Sequence, residues 1–170
     1  MSVFGVIRPS LFALSPERAH TFTLTALRMG LLPSMSRPVQ GLAVDLFGLR
    51  FPNPVGLAAG FDKNAVASRA MLKLGFGFVE AGSVTPNPQR GNPKPRVFRL
   101  PQDCAVINRL GFNNEGHDVF ARNLDAQRSG HTGIIGVNIG ANKDSADPIE
   151  DYVKGVLRFA VIADYLVVNI

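Results

Sequence analysis

The sequence predicts an α/β protein with a parallel β-sheet and helices packed outside it. Short apolar runs with strand character alternate with segments whose apolar residues recur at helical spacing, which is typical of βα units. Four such runs each end in glycine or polar residues, and the last, residues 165–170, reads as a strand cut short. The alternation alone leaves two architectures open: a doubly wound open sheet or part of a (β/α)₈ barrel.

The composition fits a globular domain from a reducing compartment. The chain has 170 residues, of which 46% are hydrophobic and 18% charged, and this is enough to form a core. The single cysteine, Cys104, excludes an internal disulfide, and the three histidines show no metal-ligand spacing with it, so no metal is expected. Beyond residue 40, basic residues are scattered among acidic ones, which argues against a nucleic-acid-binding surface.

The amino-terminal segment, residues 1–40, predicts two helices. The motif Ser-Pro-Glu at residues 15–17 offers an N-cap, a first-turn proline and a first-turn acid, and it predicts a helix that runs to about Gly30. A weaker apolar stripe precedes it and comprises Val3, Ile7, Leu11 and Leu14. Residues 34–41 read as a linker, so we place a domain boundary near residue 40.

This segment is also basic, with four arginines against one glutamate and a net charge of +3. No apolar run approaches the roughly 20 residues that span a bilayer. The Arg8-Pro9 pair interrupts anything that resembles a signal-peptide core. Two interpretations stay open from the residues alone: the helices pack on the main domain, or they lie as basic amphipathic helices in a lipid interface.

Beyond residue 40 the pattern changes to short β runs. Residues 42–51, broken at Phe47-Gly48, predict a small hairpin. The predicted strands of the main sheet are 55–59, 78–84, 134–139 and 165–170, with a further short strand at 97–100. The predicted helices are 65–74, 115–128 with Asn114 as a possible cap, and 148–160 with Asp147-Pro148 at its start.

Functional groups in parallel α/β proteins lie at the carboxyl ends of the strands. Here these ends carry Ala-Ala-Gly-Phe-Asp-Lys-Asn at 58–64, Gly-Ser-Val-Thr-Pro at 82–86, Asn-Ile-Gly at 138–140, and Asn169. Small residues let a flat ligand approach the backbone, while the amides, the hydroxyl and the lysine supply directed hydrogen bonds. The pattern favours a planar heteroaromatic cofactor over a bare phosphate.

The sequence lacks the motifs of the commoner nucleotide-binding and hydrolase sites. Gly75-Phe76-Gly77 precedes its strand, so it is no dinucleotide-binding fingerprint, and neither a Walker-type motif nor Gly-x-Ser-x-Gly occurs. The long insert at residues 86–114 exceeds the usual length of a structural loop, which favours a functional role. Its three amides around an Arg-Leu-Gly-Phe turn suit a small anionic or amide-bearing ligand.

Four long motifs carry a family resemblance. They are Asn-Pro-Val-Gly-Leu-Ala-Ala-Gly-Phe-Asp-Lys at 53–63, Gly-Ser-Val-Thr-Pro-Asn-Pro-Gln-Arg-Gly-Asn-Pro at 82–93, Ile-Asn-Arg-Leu-Gly-Phe-Asn-Asn at 107–114 and Gly-Val-Asn-Ile-Gly at 136–140. In this order, and with the helix start at residues 15–20, the chain resembles class 2, quinone-dependent dihydroorotate dehydrogenase over essentially its whole length.

The resemblance implies a (β/α)₈ barrel that binds flavin mononucleotide (FMN). Residues 1–40 would form a helical extension that docks on the membrane and admits quinone, and residues 41–170 would form the first half of the barrel. The enzyme would oxidise dihydroorotate to orotate in pyrimidine biosynthesis, passing a hydride to the flavin and electrons to quinone. It would be a peripheral membrane protein on the cytoplasmic face of a bacterial membrane, or on the mitochondrial inner membrane in a eukaryote.

The resemblance also assigns site residues. The flavin-binding residues would be Ala59, Gly60, Phe61, Asp62, Lys63, Ser83, Asn138 and Asn169. The residues that bind dihydroorotate would be Lys63, Asn108, Arg109, Leu110, Gly111, Phe112 and Asn169. Two positions depart from the family's usual pattern: Ser83 replaces a threonine and keeps its hydroxyl, and Ala141 replaces a lysine.

The family's catalytic base is a serine in a Ser-Ser-Pro-Asn-type loop, expected just after Ile170. We therefore expect no catalytic base within these residues, an unpaired strand edge, and no activity from the 170-residue piece alone. Two other hypotheses stay open: a non-catalytic fragment with a membrane- or partner-binding role, and a different barrel enzyme that acts on phosphorylated substrates.

Overall fold

The structure, a computed structural model, describes residues 3–32, 34, 41–130 and 133–170. Its helices are α1 (Val3–Ala13), α2 (Pro16–Arg28), α3 (Ser68–Lys73), α4 (Gly116–Arg128) and α5 (Pro148–Phe159). Its strands are β1 (Val44–Leu46), β2 (Leu49–Phe51), β3 (Gly56–Leu57), β4 (Phe78–Val84), β5 (Val97–Leu100), β6 (Ala105–Asn108), β7 (Ile134–Ile139) and β8 (Tyr165–Val168). The predicted linker and the boundary near residue 40 fall largely outside the described residues.

The main sheet contains four parallel strands in the order β3-β4-β7-β8. Gly56 pairs with Phe78, Phe78 with Ile134, and Gly136 with Tyr165, each in parallel, so all four strands point the same way. Spatial order follows chain order, without the reversal that defines a doubly wound sheet. Of the two architectures that the residues left open, the sheet therefore corresponds to one side of a (β/α)₈ barrel.

The hydrophobic core lies between this sheet and helices α3, α4 and α5. Its fully buried side chains include Val79, Ile135, Phe120, Leu124 and Phe159. The strands β4 and β7 match their predicted bounds, because strands covered on both faces read as continuous apolar runs.

Helix α5 begins as predicted, with the Asp147 side chain accepting a hydrogen bond from the Glu150 N–H at 3.1 Å. Its packed face carries Asp151, Gly155 and Phe159. Most of the apolar residues whose helical spacing predicts this helix are exposed to solvent, and Leu157 is 75% exposed.

Helix α3 is shorter than the predicted 65–74. Ala65 has a φ of +53°, a left-handed conformation that is rare for a residue with a side chain and cannot continue a helix. The helix starts three residues later, at Ser68. Helix α4 also starts one residue late, with Glu115 as N-cap, although Asn114 Oδ1 does accept a hydrogen bond from the Gly116 N–H at 2.8 Å.

Two antiparallel hairpins flank the sheet. The first, β1–β2, lies where residues 42–51 predict it. In the second, β5 has its predicted bounds, and Val97 pairs with Asn108 of β6. Strand β6 was not predicted from the sequence. Strand β6 is solvent-exposed along its length, so no buried-exposed alternation marks it.

The amino-terminal helices pack on the main domain through α2, whose Leu27 belongs to the core. Arg99 of β5 donates hydrogen bonds to the carbonyl oxygens of Leu14, at 2.8 Å, and Phe12, at 3.3 Å, near the end of α1. Part of the apolar surface stays uncovered, including Phe22 and Met29. Within the described residues, no helix is both long and apolar enough to cross a bilayer.

We expect Phe159→Ala to lower the free energy of unfolding by about 3–5 kcal/mol, since it opens a cavity between α4, α5 and the sheet. Leu157→Ala on the same helix is the matched control and should change it by less than about 0.5 kcal/mol, because the side chain is exposed. Urea unfolding followed by circular dichroism measures both. Equal effects would contradict the placement of α5.

Burial, together with the positive charge of Arg158, lowers the pKa of His117 from its ordinary value of 6.5 to about 4. Below pH 6.5 the unfolded chain therefore binds a proton at His117, whereas the folded chain does not bind it until about pH 4. The free energy of unfolding should fall between these pH values as acid is added. His117→Leu should flatten this part of the profile in urea titrations; an unchanged slope would contradict the assignment.

Candidate active site

A cavity of about 520 Å³ opens at the carboxyl ends of the four parallel strands. Its size lies within the usual range for small-molecule sites. The lining residues lie on or directly after all four parallel strands, or at the end of β6 and in the segment after it: Ala58, Ala59, Gly60, Lys63, Glu80, Ser83, Asn108, Leu110, Gly111, Phe112, Asn138 and Asn169. The structure thus brings ten of the thirteen predicted site residues to one cavity.

The polar groups of three strand ends form one hydrogen-bonded chain. Asn169 Nδ2 donates to Ser83 Oγ at 3.0 Å, and the Ser83 hydroxyl donates to Asn138 Oδ1. Asn138 Nδ2 then donates to Glu80 Oε1 at 2.9 Å. Ser83 and Asn138 are buried, so their orientation is set by these partners.

The loop after β3 is docked on β4 through Gly82. Gly60 N–H donates to the Gly82 carbonyl at 2.7 Å, and Gly82 N–H donates to the Asp62 carbonyl at 3.0 Å. Gly82 has a φ of +124°, and a Cβ there would lie 2.4 Å from the Asn138 carbonyl oxygen. Glycine is therefore required for the close approach between these strand ends.

Lys63 places a cationic group in the cavity. Its Nζ donates to the Gly60 carbonyl oxygen. Burial, and secondly the positive charge of Arg96, lower the pKa of Lys63 from its ordinary value of 10.5, while Glu17 acts in the opposite direction. A partly desolvated ammonium favours anionic ligands and any negative charge that develops beside it.

Arg96 stabilises the loop that is hydrogen-bonded to the segment following β6. The Arg96 Nη1 donates to the carbonyls of Arg90, at 2.6 Å, and Asn92, at 3.1 Å. The Asn92 N–H donates to the Leu110 carbonyl at 3.0 Å, and its side chain donates to the Arg109 carbonyl at 2.8 Å. These bonds fix the backbone that presents Asn108 and Leu110 to the cavity.

Three predicted site residues point their side chains elsewhere. The fully buried Asp62 carboxylate accepts hydrogen bonds from the N–H groups of Val66 and Ala67, each at 2.8 Å, so it stabilises the turn before α3. The Arg109 guanidinium donates to the Pro95 carbonyl at 3.1 Å, on the outside of the hairpin.

The third is Phe61, whose ring packs edge-on against His20 with centroids 5.1 Å apart. His20 Nε2 lies 2.7 Å from the Phe61 carbonyl oxygen, and since a carbonyl can only accept, this nitrogen is the donor. The contact joins α2 directly to the loop that carries Gly60 and Lys63.

Sequence reasoning missed the lining residue Glu80, and it placed Ala58 at a strand end without assigning it to a ligand. Glu80 carried a usable signal, because a carboxylate inside an otherwise apolar strand indicates a polar partner or a site. Ala58 carried none, since alanine is common in any buried strand end.

The fold and the cavity define a barrel-type α/β protein whose ligand site is built from strand ends and one long insert. The chain belongs to the dihydroorotate dehydrogenase family, since the sequence profile described as Dihydroorotate dehydrogenase matches residues 41–170. Members of this family are oxidoreductases and generally flavin-dependent.

Individual relatives agree with this assignment. The chain is 56% identical over 168 residues to a dihydroorotate dehydrogenase (quinone) from Erythrobacter litoralis, covering 99% of this chain and 49% of the relative. It is 56% identical over 163 residues to a mitochondrial dihydroorotate dehydrogenase (quinone) from Cyclocybe aegerita, covering 96% of this chain and 49% of the relative. The chain thus spans about half the length of the curated relatives it matches.

A solved structure shares the fold. The crystal structure of the enzyme from Eimeria tenella in complex with ferulenol superposes with a TM-score of 0.85 at 48% sequence identity. The superposition covers 91% of this chain and 43% of that chain. The ligand-free form of the same enzyme gives the same TM-score of 0.85.

Asp62→Asn should lower the free energy of unfolding by about 1.5–3 kcal/mol, because its amide can no longer accept all the hydrogen bonds that hold the turn before α3. The exposed Asp144→Asn is the control, with a change below about 0.5 kcal/mol. Thermal and urea unfolding give both values. A variant as stable as the parent would argue that the carboxylate serves a ligand instead.

Proposed function

We propose that this chain supplies the flavin-facing and substrate-facing part of a quinone-dependent dihydroorotate dehydrogenase. The observation that carries the proposal is the joining of Lys63, Asn108 and the Asn169-Ser83-Asn138 hydrogen-bonded chain in one cavity. The names of the relatives support the reaction, and membership of the family supports the class of enzyme.

The residues present fit FMN. The side chains of Ser83, Asn138 and Asn169 offer the hydroxyl and amide groups that pair with the polar edges of a flavin ring. Small residues leave the ring space, and a Cβ at Gly60 would meet just the Lys63 Nζ, at 3.8 Å, among the described atoms within 4 Å. When bound, FMN would accept the hydride that leaves dihydroorotate.

The chain's own residues would bind and orient the reactants. The Lys63 ammonium would hold the negative charge that develops beside the flavin and would reach the substrate carboxylate. Asn108 and Asn169 would pair with the amide groups of dihydroorotate, and the backbone of residues 110–112 would close the cavity around it. The proton would leave to the serine expected in the segment that follows Asn169.

Residues 1–40 would provide the membrane surface and the route for quinone. The exposed side chains of Phe22, Met29 and Leu31 lie on and just after α2, and the contact of His20 with Phe61 links this helix to the flavin loop. A quinone bound between these helices would therefore stand next to the loop that holds the flavin. The protein would be peripheral to its membrane.

Lys63→Met tests the proposal in the protein expressed from its own gene. We expect the parent to carry the yellow absorbance of a flavin and to reduce quinone when dihydroorotate is added. The variant should lose about 100-fold or more in kcat/KM, because one preorganised charge is removed from the reacting centre.

Lys154→Met on the exposed side of α5 is the control, with unchanged kinetics expected. A parent protein without flavin, or one that reduces quinone with no need for dihydroorotate, would overturn the assignment. Vesicle binding without either property would instead favour a non-catalytic membrane role.

A further inference from the structure

A second pocket, of about 450 Å³, lies between the end of α2, the length of α3 and the last turn of α4. Three cationic side chains line it, Arg28, Arg69 and Lys73, and no carboxylate occurs among its described lining residues. None of the three cations forms an ion pair within the described part of the chain. The pocket therefore concentrates uncompensated positive charge, which favours an anionic ligand.

Arg69 gives the clearest indication of that ligand. Its backbone N–H donates to Gln127 Oε1 at 3.1 Å, which anchors the residue at the pocket wall. Its side-chain Nε is buried, yet it has no acceptor among the described residues. A buried guanidinium N–H without a partner is unfavourable, and an oxyanion is the ligand whose geometry and charge satisfy it best.

Exposed apolar side chains lie on one side of the pocket, just after α2. Leu32 lines it and is 40% exposed, and Met29 and Leu31 beside it are 67% and 66% exposed. A free phosphate ion would gain nothing from these side chains, whereas a phospholipid presents an anionic head and apolar chains together. The three cations of the pocket, next to the exposed apolar residues that follow α2, match that arrangement.

We propose that the pocket between α2, α3 and α4 binds the phosphate head group of an anionic phospholipid, whose acyl chains lie against Met29, Leu31 and Leu32. The inference rests on the proposed membrane docking and adds a defined lipid class and a defined site. The three cations of the pocket attract the phosphate but repel the positive charge of a choline group. Phosphatidylglycerol should therefore bind more tightly than phosphatidylcholine.

The test is sedimentation of the purified protein, expressed from its own gene, with two kinds of vesicle, phosphatidylcholine alone and phosphatidylcholine containing phosphatidylglycerol. The double variant Arg28→Gln/Lys73→Gln should lose about 25-fold in affinity for the anionic vesicles, roughly 5-fold for each charge, and keep its affinity for the neutral ones. The control Arg90→Gln/Lys143→Gln removes the same charge from exposed positions at the other end of the sheet and should lose much less.

A third variant, Leu31→Asp, separates docking from head-group selection, since it should weaken binding to both kinds of vesicle. Equal binding of the parent to both vesicles, or equal losses in the two double variants, would overturn the head-group site while leaving membrane docking intact. Circular dichroism of each variant confirms that it folds.

Calorimetry with dispersed short-chain phosphatidylglycerol and with inorganic phosphate completes the test. Binding of the short-chain lipid by the parent and its loss in Arg28→Gln/Lys73→Gln would support the site even if vesicles do not bind, in which case the docking proposal falls. Inorganic phosphate bound as tightly as the lipid would overturn the lipid assignment. Binding of neither would overturn the site.

Discussion

The buried guanidinium of Arg96 connects the amino-terminal helices with the ligand cavity. Its Nε pairs with the Glu17 carboxylate of α2 at 2.9 Å, while its Nη1 holds the backbone at Arg90 and Asn92. A buried charge that loses its partner costs several kcal/mol. The ion pair with α2 and the hydrogen bonds to the loop therefore depend on the same buried guanidinium. Burial, and after it the same charge, lowers the pKa of Lys63. One side chain therefore helps to position the segment that follows β6 and also contributes to the electrostatics of the cavity.

Most of the fold could be predicted from the sequence because the four parallel strands are short apolar runs with clear polar ends. The errors occur where backbone conformation departs from residue preference. Ala65 adopts a positive φ that alanine rarely takes, so no pattern warned that α3 starts late. Strand β6 is exposed along its length and carries no periodicity, and its turn contains Cys104 at a φ of +50°. Such turns are set by tertiary contacts that a sequence window does not contain.

The site could be predicted wherever a strand end determines the direction of the side chain. Ser83 and Asn138 lie near the carboxyl ends of β4 and β7, Asn169 directly follows β8, and each reaches the cavity. In loops, neighbouring side chains point in directions that no period describes. Asp62 and Arg109 belong to motifs of the family, yet their side chains hold backbone groups outside the cavity. A motif thus located the loop correctly without distinguishing its ligand-facing residues from its supporting ones.

The hydrogen bonds along the strand ends all run in one direction, from Asn169 through Ser83 and Asn138 to Glu80. The chain ends at Glu80 Oε1, a carboxylate oxygen that accepts, so the Asn138 amide must turn its nitrogen towards Glu80 and its oxygen towards Ser83. The Asn169 amide nitrogen is thereby committed to the protein, and no donor in the described structure reaches its Oδ1. At that point the cavity offers an acceptor, so we expect ligands that bring an N–H to it to be favoured. Glu80, which closes the chain, would then act on this selectivity through its neighbours.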